Sequence, residues 1–589
     1  MIGSLFKAIR GLPHKFGIHS GGDGDGGGVG GDFDRRGAPG DLAVQARDRI
    51  FVVMFGIAAL FVIIQGRLVY LGFSDGDGRV VRRNVDMALN AARPRILDRQ
   101  GQILALDIEV QSLFAEPKII ERPDEIYESL VTVLPELDFK STMRKLKSGQ
   151  GFVWIKREIT PRQQADILAL GLPGIGFRPE KQRFYPAAET ASHILGHTNI
   201  DNQGIAGVEK HLDDSWLRQL HSSGFSVDKE LEPVQLSVDL RVQHYVRATL
   251  VEAMEKYQAI AAAGVVLNVH TGEIVAMSSL PDYNPNKPVD ALKKDRLNRM
   301  SAGVFEMGST FKTFTTAMAL DSGKVTLADK FDARNPIRIG RFRITDFHGK
   351  KRVLTVPEVF IYSSNIGTAK MADVVGIKGH QEFLTRMGLL SKMEGLELPE
   401  IARPTQPKKW KKVNSITISY GHGISTTPLQ TAVAAAALVN GGKLIPPTLF
   451  PRTAEQADAL ARQVLKPQTS DAMRYLLRLN VVKGSGRRAE VPGFLVGGKT
   501  GTAEKVINGG YSNKHRFNAF LSAFPVNDPQ YVVLVIVDEP KPEEGKRYAT
   551  AGMNAAPAVA NIVKRSAPLL DVQPDFRVRD TATLSSYRR

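Results

Sequence analysis

The sequence predicts an α+β protein: an apolar segment near the N-terminus, a mixed middle region, and a C-terminal unit built on an antiparallel sheet. Three observations predict it. "IFVVMFGIAALFVII" (Ile50 to Ile64) is fifteen apolar residues without interruption. "AGVVLNVHTGEIVAMSS" (Ala263 to Ser279) reads as two strands split by a His270-Thr271-Gly272 turn, the pattern of a hairpin. "YVVLVIVDEP" (Tyr531 to Pro540) is another β-forming run far downstream. Strands at both ends of one unit, with helices between, imply an antiparallel sheet covered by helices.

The apolar run continues past Gln65, Gly66 and Arg67 into "LVYLGF", ending at Phe73. Spanning a bilayer takes about 20 residues. Ile50 to Phe73 supplies that length if Arg67 snorkels to the interface. The hydrophilic lead of 49 residues argues against a buried core helix, and no small-x-small cleavage site follows. We therefore expect one uncleaved anchor over residues 50–73. Charge does not orient it: within about 20 residues, four basic residues lie toward its N-terminal side (Arg35, Arg36, Arg47, Arg49) and four at or beyond its other end (Arg67, Arg79, Arg82, Arg83).

The segment ahead of the anchor, residues 1–49, includes "GGDGDGGGVGGD" (Gly21 to Asp32). It lacks the helix pair and closing Glu of a calcium loop and is expected to be disordered. Residues 74–233 mix short strand-like runs with helical patches and carry few reactive groups. Within them "HILGH" places His193 and His197 four apart. Gly196 weakens a helix there, and no acidic residue sits between the histidines as a metalloprotease site requires. The second unit opens at residue 234 with "VQLSVDLRVQHYV" and helical periodicity through "ATLVEAMEKYQ", and runs to about 566. Residues 567–589 end in "TLSSYRR", a basic tail.

The chain of 589 residues has 43% apolar and 24% charged residues, so it can bury a large core. Its net charge of +17 would suit an acidic polymer, an anionic membrane or a solvated basic surface. No zinc-finger spacing or RNP-like run accompanies it, and no nucleic acid is expected as a partner. Cysteine is absent, which excludes disulfide and thiolate chemistry.

Three short motifs fall in order inside the second unit. They are Ser309-Thr310-Phe311-Lys312, Ser363-Ser364-Asn365 and Lys499-Thr500-Gly501-Thr502, with the first residues of successive motifs 54 and 136 apart. S-x-x-K alone should arise about twice by chance in a chain this long. Singly, Ser309 reads as a helix N-cap, Ser363 and Asn365 as turn residues, and K-T-G as a strand-end turn. Jointly, the three resemble the set used by penicillin-binding proteins and serine β-lactamases.

Each residue type has a physical reason to be there. A serine hydroxyl needs an adjacent base to act as a nucleophile. Position i+3 lies on the same helix face, so Lys312 can reach Ser309. Lys312 must be partly neutral to take a proton, and burial plus a second cation, Lys499, would lower its pKa. Gly308 admits the chain tightly into the helix, exposing its first amides to an oxyanion, with the Thr502 amide as the second donor. Ser363 can relay a proton between Lys312 and a leaving amine, and Asn365 can hold a substrate amide. Thr500 and Thr502, with Lys499, can hold a terminal carboxylate, and Gly501 can let a substrate strand lie close. His422, in "YGHG", is expected to be a wall residue, because the lysine already fills the role of base.

The wider chain resembles class B penicillin-binding proteins from the anchor to about residue 565. "ARPRILDRQGQILA", "RFYPAAETASHILGHT" and "GIAGVEKHLD" are similar to segments of that family's N-terminal domain, with Pro94 and Ala188 where glycines are usual. "LPDYNPN", "LNRMSAGVFEMGSTFK" and "YGHGISTTPLQTAVAAAALVNGG" are similar to its active-site surroundings, with Met307 at a usual proline. The resemblance implies a pedestal (residues 74–233, dimerisation-type) followed by a transpeptidase domain (234–566), in which helices sandwich a five-stranded antiparallel sheet. It implies D,D-transpeptidation of peptidoglycan stems ending in D-Ala-D-Ala, through an acyl-enzyme on Ser309 and without a metal or organic cofactor, with β-lactams as inhibitors. It implies a cytoplasmic N-terminus and a periplasmic catalytic domain at the inner membrane. "KTGTAEK…GGY" and "VDEPK" look closer to the division-specific (FtsI) type than to the elongation type, which stays open. The division type implies a membrane glycosyltransferase of the SEDS (FtsW) type and other septal proteins as partners. A β-lactamase would need a deacylating base, and no further Glu can be given that job. A β-lactam sensor would need several membrane spans, and one is expected.

Overall fold

The computed structural model describes residues 54–67, 93–223 and 232–577, apart from Arg341 and Asn508. The glycine-rich lead, the ends of the expected anchor and the last twelve residues lie outside the described residues. Within the segment expected to be an anchor, residues 54–67 form helix α1, with large apolar side chains such as Phe55 and Val62 exposed. Among the described residues no helix is long and apolar enough to cross a membrane. At 1.5 Å per residue, the described part of α1 spans about 21 Å.

The described residues from Arg93 on belong to one compact unit. Its first part is built on strands β1 (Ile96–Leu97), β2 (Ile103–Ala115), β3 (Val153–Ile159) and β4 (Ile175–Phe184). Long β2 pairs antiparallel with β1, β3 and β4. Helices α2 (Pro123–Val133), α3 (Phe139–Leu146) and α4 (Pro161–Ala169) cover its far end around Leu113, Leu130, Leu146 and Ile167. Helix α4 starts where Thr160 and Gln163 form a reciprocal capping box with Pro161 at the first turn. Helix α5 (Gly207–Ser223) returns toward the second part.

Strand β5 (Val234–Gln235) pairs in parallel with β1, so the first residues of the expected transpeptidase domain complete the pedestal sheet. Helix α6 (Leu240–Tyr257) follows, capped by Asp239, and then the hairpin β6 (Ala261–Asn268) and β7 (Ile274–Leu280). The helical region comprises α7 (Phe311–Asp321), α8 (Val356–Ile361), α9 (Asn365–Val375), α10 (Ile377–Arg386), α11 (Lys412–Ser419), α12 (Pro428–Ala437) and α13 (Pro467–Lys483). The chain then returns through β8 (Gly497–Ile507), β9 (Gly510–Phe524) and β10 (Tyr531–Asp538) to α14 (Ala555–Ser566).

The five strands form one antiparallel sheet in the order β8-β9-β10-β6-β7. The two ends of the unit meet at its centre, where β10 pairs with β6. Helices α6 and α14 pack on one face, α7 and α12 on the other, and two hydrophobic cores fill the space between. This explains the unbroken apolar run of β10: all eight residues are buried, because both sheet faces are covered. Each Val or Ile there contributes about 1.5–3 kcal/mol on burial. The pedestal base shares the larger core through Ile96, Leu104, Ile194 and Val208. After α14 the chain does not loosen at once. Leu570 and Val572 are buried, and the Asp575 amide donates to the Gly493 carbonyl, so the chain stays packed beyond residue 567, the expected start of the tail.

Candidate active site

Ser309 lies in a single 3-10 turn, Gly308–Thr310, and Lys312 is the second residue of the helix it feeds. Three glycines pull three backbones together around this turn. A Cβ on Gly308 (φ +52°) would stand 2.9 Å from the Thr502 carbonyl oxygen. One on Gly421 (φ +87°) would stand 2.0 Å from the Gly308 carbonyl oxygen. One on Gly501 would stand 2.5 Å from the Met307 carbonyl oxygen and 2.7 Å from Thr310 Cγ2. The sequence predicts that Gly501 makes room for a substrate strand. In the structure its bare Cα faces the turn that carries Ser309, and what it admits is Met307 and Thr310.

Lys312 and Lys499 converge on one hydroxyl. Lys312 Nζ donates to Ser363 Oγ at 3.1 Å, and also to the Ser363 carbonyl. Lys499 Nζ donates to the same Oγ at 3.0 Å and to the Thr500 carbonyl at 3.1 Å. Both lysines are buried, at 1% and 0% exposure. Burial, and then the neighbouring Lys499, hold Lys312 well below the usual ammonium range, against a smaller opposing pull from Asp346. Burial brings Lys499 down to about 7. Ser363 itself has φ +55°, a left-handed conformation that a non-glycine residue adopts only under constraint. The Nζ atoms of two lysines thus occupy the acceptor sites of one hydroxyl. The expected contact between Lys312 and Ser309 is not among the hydrogen bonds of the described residues. Lys312 is drawn to Ser363, one turn away from the half-buried Ser309.

Asn365 opens α9 and donates from Nδ2 to the Thr345 carbonyl at 2.8 Å. Thr500 Oγ1 and Ser485 Oγ lie 2.6 Å apart, and Thr502 Oγ1 accepts from the Ala551 amide at 3.2 Å. The K-T-G residues do not end their strand. β8 runs five residues past Thr502 and turns back into β9, because Ala503 to Ile507 continue the ladder. His422 lies between Tyr420 and Tyr511, with ring centroids at 5.4 and 5.5 Å. Burial, then Lys312, lowers its pKa to about 4, so its ring is neutral at pH 7, as suits a wall. His193 and His197 contact the Arg296 carbonyl and the Tyr283 hydroxyl, at 2.7 and 3.4 Å, and the helix between them stops at Gly196.

Three supporting residues escaped sequence reasoning. Asp346 accepts from Ser364 Oγ at 2.7 Å and from the Ile366 amide at 2.9 Å, fixing the turn that carries Ser363. Ser485 holds Thr500. Glu306 accepts from the Gly423 amide at 2.8 Å and the Tyr511 hydroxyl at 3.2 Å, tying the β8–β9 hairpin to the segment before Ser309. Burial raises its carboxyl pKa. The position of Glu306 beside E-M-G-S was the only available signal. Asp346 and Ser485 carry none, because each acts across a fold-generated contact.

A serine three residues before one buried lysine, with a second buried lysine sharing another serine's hydroxyl, is an arrangement that suits acyl transfer. Two family models match the chain: "Penicillin binding protein transpeptidase domain" over residues 262–564 and "Penicillin-binding Protein dimerisation domain" over residues 88–218. The chain belongs to the penicillin-binding protein transpeptidase family. It is 38% identical over 553 residues to the probable peptidoglycan D,D-transpeptidase FtsI of Caulobacter vibrioides, covering 92% of each chain. It is 32% identical to the probable peptidoglycan D,D-transpeptidase PenA of Neisseria meningitidis, covering 90% of this chain and 94% of that one. It is 30% identical to the peptidoglycan D,D-transpeptidase FtsI of Escherichia coli, covering 85% and 87%. Penicillin binding protein 3 of Mycobacterium tuberculosis, solved with aztreonam, has the same fold, with a TM-score of 0.63 and 23% identity over 82% of this chain and 98% of that one.

Proposed function

We propose that this protein is a peptidoglycan D,D-transpeptidase of the division type, acting through an acyl-enzyme on Ser309. The convergence of Lys312 and Lys499 on Ser363 Oγ carries the proposal. Neutral Lys312 takes the Ser309 proton as Oγ attacks the carbonyl of the penultimate D-Ala. The amides of Ser309 and Thr502 receive the oxyanion. Ser363 passes the proton to the leaving amine, and D-Ala departs. The amine of a second stem then attacks the ester, forms the cross-link and returns the proton to Ser309. Asn365 would hold the donor's peptide amide, and Thr500 and Thr502 its terminal carboxylate. β-Lactams, which present a similar carbonyl and carboxylate, would acylate the same serine.

The division role takes its support from the names of the Caulobacter and Escherichia relatives. It carries with it an N-terminal anchor over residues 50–73, a cytoplasmic tail, a periplasmic catalytic domain at the septum, and a membrane glycosyltransferase of the FtsW type among its partners. Intact-mass measurement after exposure to a penicillin tests the chemistry. One stable adduct, absent in Ser309→Ala, is expected. An adduct lost within seconds would point to a β-lactamase, and no adduct at all would sink the proposal. Depletion in cells tests the role: filaments are expected, and round cells would move the protein to elongation.

A further inference from the structure

The carboxylate of an acylating ligand needs a fixed positive charge, and Lys499 is poorly placed to supply it. Its ammonium points to Ser363 and the Thr500 carbonyl, inside the proton relay, and burial brings it to about 7. Thr500 and Thr502 are neutral. A permanent cation stands close by. Arg516 lies in β9, two residues from Asn518, which is the ladder partner of Thr502. Alternation places Arg516, Asn518, Thr502 and Thr500 on one face of the sheet.

Arg516 is 8% exposed. Among the described residues no hydrogen bond or ion pair reaches its guanidinium, not even from Glu504, its direct partner in the ladder. Its Cζ lies 5.0 Å from the Tyr548 ring centroid, a cation–π contact that holds the plane and leaves the N–H fork open. The segment after Tyr548 is pinned to the same place. The Ala549 carbonyl accepts from Asn518 Nδ2 at 3.1 Å, and the Ala551 amide donates to Thr502 Oγ1. A guanidinium cannot deprotonate, and a nearly buried one without a counter-ion is costly. An anion arriving beside Thr502 removes that cost.

We infer that Arg516, oriented by Tyr548, binds the carboxylate of the acylating ligand alongside the Thr500 and Thr502 hydroxyls. The same chemistry fits the terminal carboxylate of a stem peptide and the ring carboxylate of a β-lactam. The inference rests on Ser309 being the acylated serine.

The test compares benzylpenicillin with its methyl ester as acylating agents of the full-length protein in detergent. The readout is the ratio of their second-order acylation rates, which cancels general losses of folding. In Arg516→Gln the acid-to-ester ratio is expected to fall about 10- to 100-fold, the worth of one charge-assisted hydrogen-bonded contact. Arg516→Lys should keep part of the preference, since charge survives but the fork does not. A ratio within twofold of the parent's in Arg516→Gln, at whatever absolute rate, would overturn the inference while leaving Ser309 acylation intact. If the parent itself is not acylated by the acid, this inference and the proposed function fall together.

Discussion

Gly501→Ala is the sharpest perturbation the structure offers. The new methyl would stand 2.5 Å from the Met307 carbonyl oxygen, where ordinary contact begins at 3.4 Å. The two segments must therefore separate by about 0.9 Å. Neither can yield easily: Gly501 is locked into the β8–β9 ladder opposite Ala519, and the nucleophile turn is held from behind by Gly421. The displacement falls on the gap between the Ser309 and Thr502 amides, where the oxyanion would form. A misplacement of about 1 Å costs on the order of 100-fold in rate. We therefore expect acylation by a fluorescent penicillin to slow by about 100-fold, with a stability loss of about 1–3 kcal/mol from overpacking. Gly151→Ala, where a methyl meets nothing within 4 Å, is the control. Acylation of Gly501→Ala within threefold of the parent would refute the claim that this glycine sets the geometry of the nucleophile.

Ser363→Ala removes the acceptor shared by both lysines and, with it, the relay proposed for the leaving group. Acylation should fall about 10²- to 10⁴-fold, measured by stopped-flow with the same penicillin. The folded Lys499 loses its proton near 7 and the unfolded one near 10.5, so between these values the unfolded chain binds more protons. The parent should gain stability relative to Lys499→Met as pH rises from about 7 to 10.5, with a constant gap below 7, read from urea unfolding at a series of pH values. In the pedestal, Glu209 is fully buried between Arg93 and Arg183, at 2.8 and 2.7 Å. Glu209→Gln should cost about 3–5 kcal/mol in chemical denaturation, because it removes the buried carboxylate that bridges two guanidinium groups and leaves each with a single aspartate, Asp213 for Arg93 and Asp107 for Arg183.

The legible part of this fold was what local chemistry writes locally. The hairpin at His270-Thr271-Gly272 was readable because Gly272 takes φ +74° in a tight turn. The motif residues were readable because hydroxyl and amine chemistry narrows the choice of side chain. Asp346 was not, because an aspartate after a threonine has no local signature; it matters only once α9 folds against it. Gly501 shows the middle case: its identity was legible and its reason was not, since the backbone it admits is nearly 200 residues away in sequence. The pedestal segments behaved likewise. Arg93, Arg183 and Glu209 come from three separate stretches, and only the fold shows that they form one buried charge cluster, with Asp107 and Asp213.

Ser363 draws the chemistry and the fold together. Two ammonium groups that share one acceptor cannot both be comfortably charged in a buried site, so desolvation and mutual repulsion favour the neutral amine that the proposed mechanism asks of Lys312. The positive φ of Ser363 is what lets a single residue offer both its hydroxyl and its carbonyl to Lys312. That strain is maintained from outside the site. Asp346 accepts from the Ser364 hydroxyl and the Ile366 amide, and the Val359 carbonyl accepts from the Ser364 amide at 3.0 Å. Asp346 also exerts the one pull that raises the pKa of Lys312. The same carboxylate therefore holds the Ser363 turn in shape and opposes the deprotonation that the proposed mechanism asks of Lys312, a compromise that works because burial is the larger effect.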